Sequence, residues 1–315
     1  MPKPLIQVDK LSRYFDTRCA VKELSFELEA GEVLGFLGPN GAGKTTTMQM
    51  ITGNLIASAG QITINGFDII EAPLQARQQI GYLPETPPLY QEDTVQKFLI
   101  FCARLHGIKS PDINKAVSTA LDQCGLNSVA NRLIKNLSKG YRQRIGIAQA
   151  IIHDPPVVIL DEPTVGLDPI QIREIRALIK SLGESRSVIL SSHILPEVQA
   201  TCDRVIIIRQ GELVYQSSIE ALEQQRHKII TVAFENPPPL STFTEMTDVV
   251  SAELIDEYRY KIYFEQSSPA KAIVEQSVVK KWGLYELSPD QTSLEDLFIE
   301  ITQQDNHEHP LEICE

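Results

Sequence analysis

The chain has 315 residues and 43% hydrophobic side chains, enough for one large packed domain and a smaller one. Its 41 acidic against 29 basic residues give a formal net charge of -12, which argues against a broad nucleic-acid-binding surface. Nothing approaches the roughly 18 uninterrupted apolar residues of a membrane span, the start "MPKPLIQVDK" has no apolar signal segment, and the five scattered cysteines (Cys19, Cys102, Cys124, Cys202, Cys314) form no C-x-x-C pair. Reduced thiols in the cytosol are expected, without a disulfide framework or a zinc site.

From the N-terminus, "LIQVDKLSRYF" and "VKELSFELEAGEVLGFLG" alternate apolar and polar residues before a glycine, which predicts strands of a twisted sheet. After Gly43 the periodicity turns helical to about Thr52, and residues 92–153 are mostly helical with breaks at "GIKSPD" and "CGLN". "PPVVILDEP" and "RSVILSSH" are short β-branched runs of the kind buried on both faces, and "IREIRALIKSL" between them is a helix. This alternation predicts an α/β domain with a largely parallel sheet, into which the helical block is inserted. Beyond about residue 220, "HKIITVAFE" is strand-like, "ENPPPLS" is a turn, and Tyr258, Tyr260, Ile262 and Phe264 fall on one strand face. "SPAKAIVEQSVVKKW" and "SLEDLFIEIT" predict helices. The second opens on a capping pattern, Ser293 to Asp296, and carries the stripe Leu294, Leu297, Phe298 and Ile301. Residues 221–302 thus form a small α+β domain, and 303–315, with His307 and His309, a solvated tail.

Two motifs carry chemistry. "LGFLGPNGAGKTTTMQM" fits G-x-x-x-x-G-K-[ST] with Gly38, Gly43, Lys44 and Thr45. Glycines let backbone N–H groups curl around phosphate oxygens, and the following helix offers its positive end. Lys44 can reach the β and γ phosphates, and the Thr45 hydroxyl can ligate Mg²⁺. In "VVILDEPTVGLDP", Asp161 ends a buried strand where it can hold Mg²⁺, and Glu162 is placed to polarise an attacking water as general base.

With "LSKGYRQRIGIAQAI", residues 137–151, the set is complete, and the chain resembles the ATP-binding cassette ATPases, the motor subunits of ABC transporters, over roughly residues 4–220. Ser138 and Gly140 match the family signature, usually L-S-G-G-Q, while Lys139 and Tyr141 depart from it. Ser138 suits a helix N-cap and Gly140 admits a phosphate close to the backbone. The resemblance implies a P-loop NTPase cassette over residues 1–220, with a helical subdomain at about 87–153. It also implies ATP and Mg²⁺ as ligands, and a head-to-tail dimer whose signature helix faces the ATP of the partner. By position it assigns Tyr14 to adenine stacking, and Pro39, Asn40, Gly41, Ala42 and Thr46, with the matched residues, to the phosphates. Asp168 falls to intersubunit sensing and His193 to the γ-phosphate.

In "IGYLPETPPLY" the family usually carries glutamine at the position of Glu85, reaching Mg²⁺ and the lytic water from a loop that leads to the membrane subunit. A carboxylate is a good hard ligand for Mg²⁺, so Glu85 is expected to face the site as a working substitute that couples the ion to the permease. "GYLPE", "LSKGYRQR" and "SLEDLFIEIT" are similar to the gliding-motility-associated and drug-export branch. That branch pairs with separately encoded permeases on the cytoplasmic face of the membrane, favouring export. A second cassette, expected to be another copy of this chain, completes the assembly, and nucleic acid is not expected. The competing reading is a soluble cassette switch on ribosome or DNA; a single cassette, no heptad run and an acidic balance weigh against it. Lys44, Asp161, Glu162 and His193 are all present, so a degenerate regulatory subunit is not indicated.

Overall fold

A computed structural model describes residues 3–226, 229–265 and 267–289. The expected final helix at 293–301 and the tail at 303–315 lie outside these residues. Two compact units meet in sequence between Ser217 and Ser218.

The first unit opens with β1 (Ile6–Phe15) and β2 (Arg18–Leu28), followed by β3 (Val33–Leu37) and α1 (Lys44–Ile51). Next come β4 (Ala59–Ile64), β5 (Phe67–Asp68), α2 (Pro73–Gln78) and β6 (Ile80–Leu83). The helical insertion is α3 (Val95–Leu105), α4 (Ser110–Gln123) and α5 (Lys139–Ile151), with single 3-10 turns at Asn127–Val129 and Ile134–Asn136. The chain then returns through β7 (Val157–Asp161), α6 (Pro169–Gly183), β8 (Ser187–Ser192), α7 (Leu195–Thr201), β9 (Arg204–Arg209) and β10 (Glu212–Ser218).

These strands make two sheets. A six-stranded sheet runs β10-β9-β3-β8-β7-β6, with every pair from β9 to β6 parallel. β3, β7 and β8 are buried at every residue, as strands covered on both faces must be. β1 and β2 do not join it. They form a separate sheet, β2-β1-β4-β5, with β1 antiparallel to both neighbours. Leu24, Phe26, Phe36 and Met48 are buried in the core cluster between these layers. β6 lies so close to α5 that a Cβ on Gly81 would sit 2.1 Å from the Ala150 carbonyl, which fixes the strand leading to Glu85.

The second unit has α8 (Ile219–Arg226), β11 (Ile229–Phe234), α9 (Ser241–Thr244), β12 (Val249–Leu254), β13 (Arg259–Phe264), α10 (Ala270–Lys280) and β14 (Leu284–Pro289). Its sheet, β12-β13-β11-β14, is antiparallel throughout, giving the β-α-β-β-α-β order of a ferredoxin-like fold. Tyr260, Ile262 and Phe264 line its core with Phe234, Phe243 and Trp282. Tyr258 precedes the strand and is 44% exposed, because the 256–259 turn, closed by Asp256 on the Tyr258 and Arg259 N–H groups, carries it off the buried face.

Where α3 ends, the His106 ring stacks on His153 at 3.9 Å and 5°. His153 Nε2 bonds the Ile80 carbonyl at 3.2 Å and its Nδ1 is buried without a partner, so the neutral ring is favoured. Burial, reinforced by the His106 neighbour, pushes the His153 pKa down to about 4. The unfolded chain therefore binds this proton more tightly: stability is complete above the ordinary imidazole pKa of about 6.5 and is lost as pH falls toward 4. Urea unfolding is expected to show up to about 3 kcal/mol of acid-dependent loss over that window, and His153→Gln is expected to flatten the slope.

Candidate functional site

Three parallel strands end side by side, and each delivers one part of the site. Ligands of open α/β sheets bind beyond such carboxyl ends.

β3 feeds the loop from Gly38 to Gly43. Gly43 adopts φ 104° and a Cβ there would lie 2.6 Å from the Ala20 carbonyl, so only glycine fits. As the N-cap of α1 it offers no side chain to the first-turn N–H groups, which are left for an anion. Lys44 is 6% exposed, and its Nζ donates to the carbonyls of Gly38 (2.8 Å) and Pro39 (3.3 Å).

β7 delivers the acids. Asp161 is fully buried and Ser191 Oγ donates to its Oδ1 at 2.8 Å, whereas Oδ2 has no hydrogen-bond partner. Burial raises the Asp161 pKa above the ordinary carboxylate value against the Ser191 and Thr45 hydroxyls, and the charges of Glu162 and Glu85 add to the rise. An orphaned buried oxygen beside Thr45 and near Glu85 suits a hard divalent cation, which would replace desolvation with ligation. Glu162 takes φ 48°, a left-handed backbone that a non-glycine residue holds at a cost of roughly 1–3 kcal/mol. Its carboxylate is shared: Oε1 lies 3.2 Å from Lys44 Nζ and Oε2 lies 2.9 Å from Nδ1 of His193, which follows β8.

A cleft of about 570 Å³ opens above this cluster. Of the sequence-predicted residues, Asn40, Gly41, Gly43, Lys44, Thr45, Thr46, Glu85, Glu162 and His193 line it. Gly38 and Pro39 act behind it through their carbonyls, Ala42 is 3% exposed in the core, and Asp161 lies beneath. Tyr14 does not line the cleft; its neighbour Phe15 does, with the Arg13 guanidinium 4.5 Å from its ring centre. Bulges in β1 between Val8 and Tyr14 change which of the two adjacent aromatics faces the cleft.

Ser138, Gly140 and Asp168 line a different cleft, of about 540 Å³. Ser138 Oγ accepts from the Tyr141 N–H at 3.4 Å and caps α5. Asp168 Oδ1 accepts from the N–H groups of Ile170 (3.0 Å) and Gln171 (2.9 Å), so this carboxylate is spent on capping α6. A Cβ on Gly140 would lie 2.8 Å from the end of the Gln171 side chain, which covers the glycine and is free to move aside.

The family model described as ABC transporter matches residues 21–165. The chain is 35% identical over 309 residues to the ABC transporter ATP-binding protein YhcH of Bacillus subtilis (strain 168), covering 97% of this chain and 98% of that one. It is 31% identical over 303 residues to the bacitracin transport ATP-binding protein BcrA of Bacillus licheniformis, covering 94% and 97%. A solved ATP-binding subunit of an ABC transporter superposes with TM-score 0.63 at 30% identity, over 70% of this chain and 92% of that one. Removing the aromatic that walls the cleft is expected to weaken nucleotide binding: Phe15→Ala by about tenfold, Tyr14→Ala by less than about twofold, in titrations with a fluorescent ATP analogue.

Proposed function

The chain belongs to the ABC transporter ATP-binding family, and from that premise we propose that it is the hydrolytic motor of an exporter, closing as a head-to-tail dimer around two ATP to drive a separately encoded membrane permease. It is an ATP-binding subunit and an ATPase of the cassette type. The observation that carries the dimer is the division of the site. The loop, acids and histidine share one cleft, while Ser138 and Gly140 at the start of α5 line another. A second copy would bring its Ser138 and Gly140 to the γ-phosphate.

Within the cleft Lys44 neutralises Glu162. The phosphates of ATP are a stronger partner for that ammonium, so nucleotide binding would draw Lys44 away and leave Glu162 free to accept a proton from water. His193, already hydrogen-bonded to Glu162, would then report on the γ-phosphate. Mg²⁺, held by Thr45, Asp161 and Glu85, would neutralise charge on the phosphates.

Export is supported by the relative named for bacitracin transport. Docking on a permease is supported by an apolar surface just past Glu85. Tyr90 packs on Phe98 and Phe101 yet is 54% exposed, and Leu105 is 69% exposed. Among the described residues no helix is long and apolar enough to cross a membrane, so the membrane path would belong to the partner, with this chain on the cytoplasmic face.

Pull-down of the tagged protein from native membranes in mild detergent is expected to recover a multi-span membrane protein in stoichiometric amount. Recovery with ribosomes or nucleic acid alone would overturn the transporter reading. Glu162→Gln is expected to bind ATP normally, lose at least about 100-fold in turnover and accumulate as a closed dimer on gel filtration with ATP. Glu85→Ala is expected to lower permease-stimulated hydrolysis about tenfold and raise the Mg²⁺ concentration needed, whereas Glu85→Gln retains function.

A further inference from the structure

α7 carries a carboxylate that no part of the hydrolytic site touches directly. Glu197 is 1% exposed, four residues after His193. Its Oε2 accepts from Thr164 Oγ1 at 2.5 Å and from Ser192 Oγ at 3.2 Å. Ser192 Oγ in turn accepts from the Ile194 N–H at 3.0 Å, so the turn holding His193 is closed around the same group. Thr164 lies two residues beyond Glu162. Among the described residues, its bond to Glu197 is the only side-chain hydrogen bond that ties residues 163–167 to another element.

An acid buried this deeply is retained at a cost unless its partners need it. Here the partners belong to two separate segments, Thr164 on the loop following β7 and Ser192 at the end of β8. Thr164 lies two residues past Glu162 and Ser192 directly precedes His193, the two groups that must meet at 2.9 Å. Glu162 also sits in a left-handed backbone conformation, which persists only where its surroundings over-determine it. Its own N–H is held by the Ser191 carbonyl at 3.1 Å, on the strand that Ser192 completes. We propose that Glu197 is a positioning residue for hydrolysis: one buried carboxylate that clamps the loop after Glu162 to the turn bearing His193, and so keeps base and histidine in register. Its side-chain hydrogen bonds go to Thr164 and Ser192, and it does not line the cleft, so the clamp governs turnover and leaves nucleotide binding alone.

The proposal rests on reading Glu162 as the base, and the experiment separates the two. Steady-state ATPase rates and ATP-analogue affinities are measured for the full chain and for Glu197→Ala, Glu197→Gln, Thr164→Val, the Glu197→Ala/Thr164→Val double variant and Glu162→Gln, with thermal unfolding alongside. Glu197→Ala is expected to lose about tenfold or more in kcat while KM and analogue affinity stay within about twofold. Glu197→Gln, which keeps an acceptor oxygen between the two hydroxyls, is expected to recover most of the rate. Thr164→Val is expected to share the same loss, so that the double variant is little worse than either single one. A wild-type kcat in Glu197→Ala, affinity falling in step with kcat, or losses that multiply independently would overturn the clamp. If Glu197→Ala does not fold, Thr164→Val and Glu197→Gln decide between the outcomes: normal turnover in Thr164→Val overturns the clamp, and a lowered kcat with normal affinity supports it. Normal turnover in Glu162→Gln would instead overturn the base assignment beneath it.

Discussion

A charge placed out of water must be answered by its surroundings, and Lys44 is the charge around which this cleft is arranged. Its ammonium is 6% exposed, and two loop carbonyls with the Glu162 carboxylate provide what water would have provided. Removing one partner from such a buried pair typically costs about 3–5 kcal/mol, so the loop after β3 and the end of β7 are bound to each other before any ligand arrives. Glu162 passes the constraint on to His193 and thereby to the end of β8. The parallel sheet brings three strand ends together, and this chain of polar contacts fixes how their side chains face.

The same arrangement accounts for what the sheet leaves undone. Asp161 is buried with one oxygen orphaned and its pKa raised by that burial, and Glu162 holds a backbone conformation that side chains rarely adopt. Both are strained features beside a ligand cleft, where local cost is commonly repaid by pre-organisation. The ferredoxin-like unit has an ordinary aromatic core in which Phe234 and Phe243 stack, and Tyr260 and Trp282 pack on them tilted or edge to face.

The central sheet was legible because its strands are apolar on both faces and bounded by proline or charge, as in "PPVVILDEP". The helical insertion was legible for the opposite reason, its amphipathic period broken by glycine and proline. Alternation located strands but not their partners. β1 and β2 were read correctly as strands but not into their own sheet, since period two says nothing about which partner a strand takes. Tyr14, assigned to adenine by resemblance, lies off the wall of the cleft, where Phe15 stands. The β9–β10 hairpin, turning at Gln210 and Gly211 with φ of 49° and 84°, lacked the usual Asn-Gly marker. Glu197 was invisible for a deeper reason: in "HILPEVQATC" an acid in a short helix looks solvated, and only the packing of β8 and the 163–167 loop over it creates its burial.

The separation of Ser138 and Gly140 from the cleft that holds Lys44 and Glu162 has a kinetic meaning on the proposed reading. A lone subunit carries two incomplete halves, so at low concentration the rate would rise with the square of the amount of protein rather than in proportion to it. Dilution would then be an off state that needs no inhibitor. Two copies held side by side on a permease would escape it, because each would meet the other at the effective concentration of a tethered pair. ATP would thus be spent mainly where the membrane partner has gathered the subunits, and little would be consumed by molecules adrift.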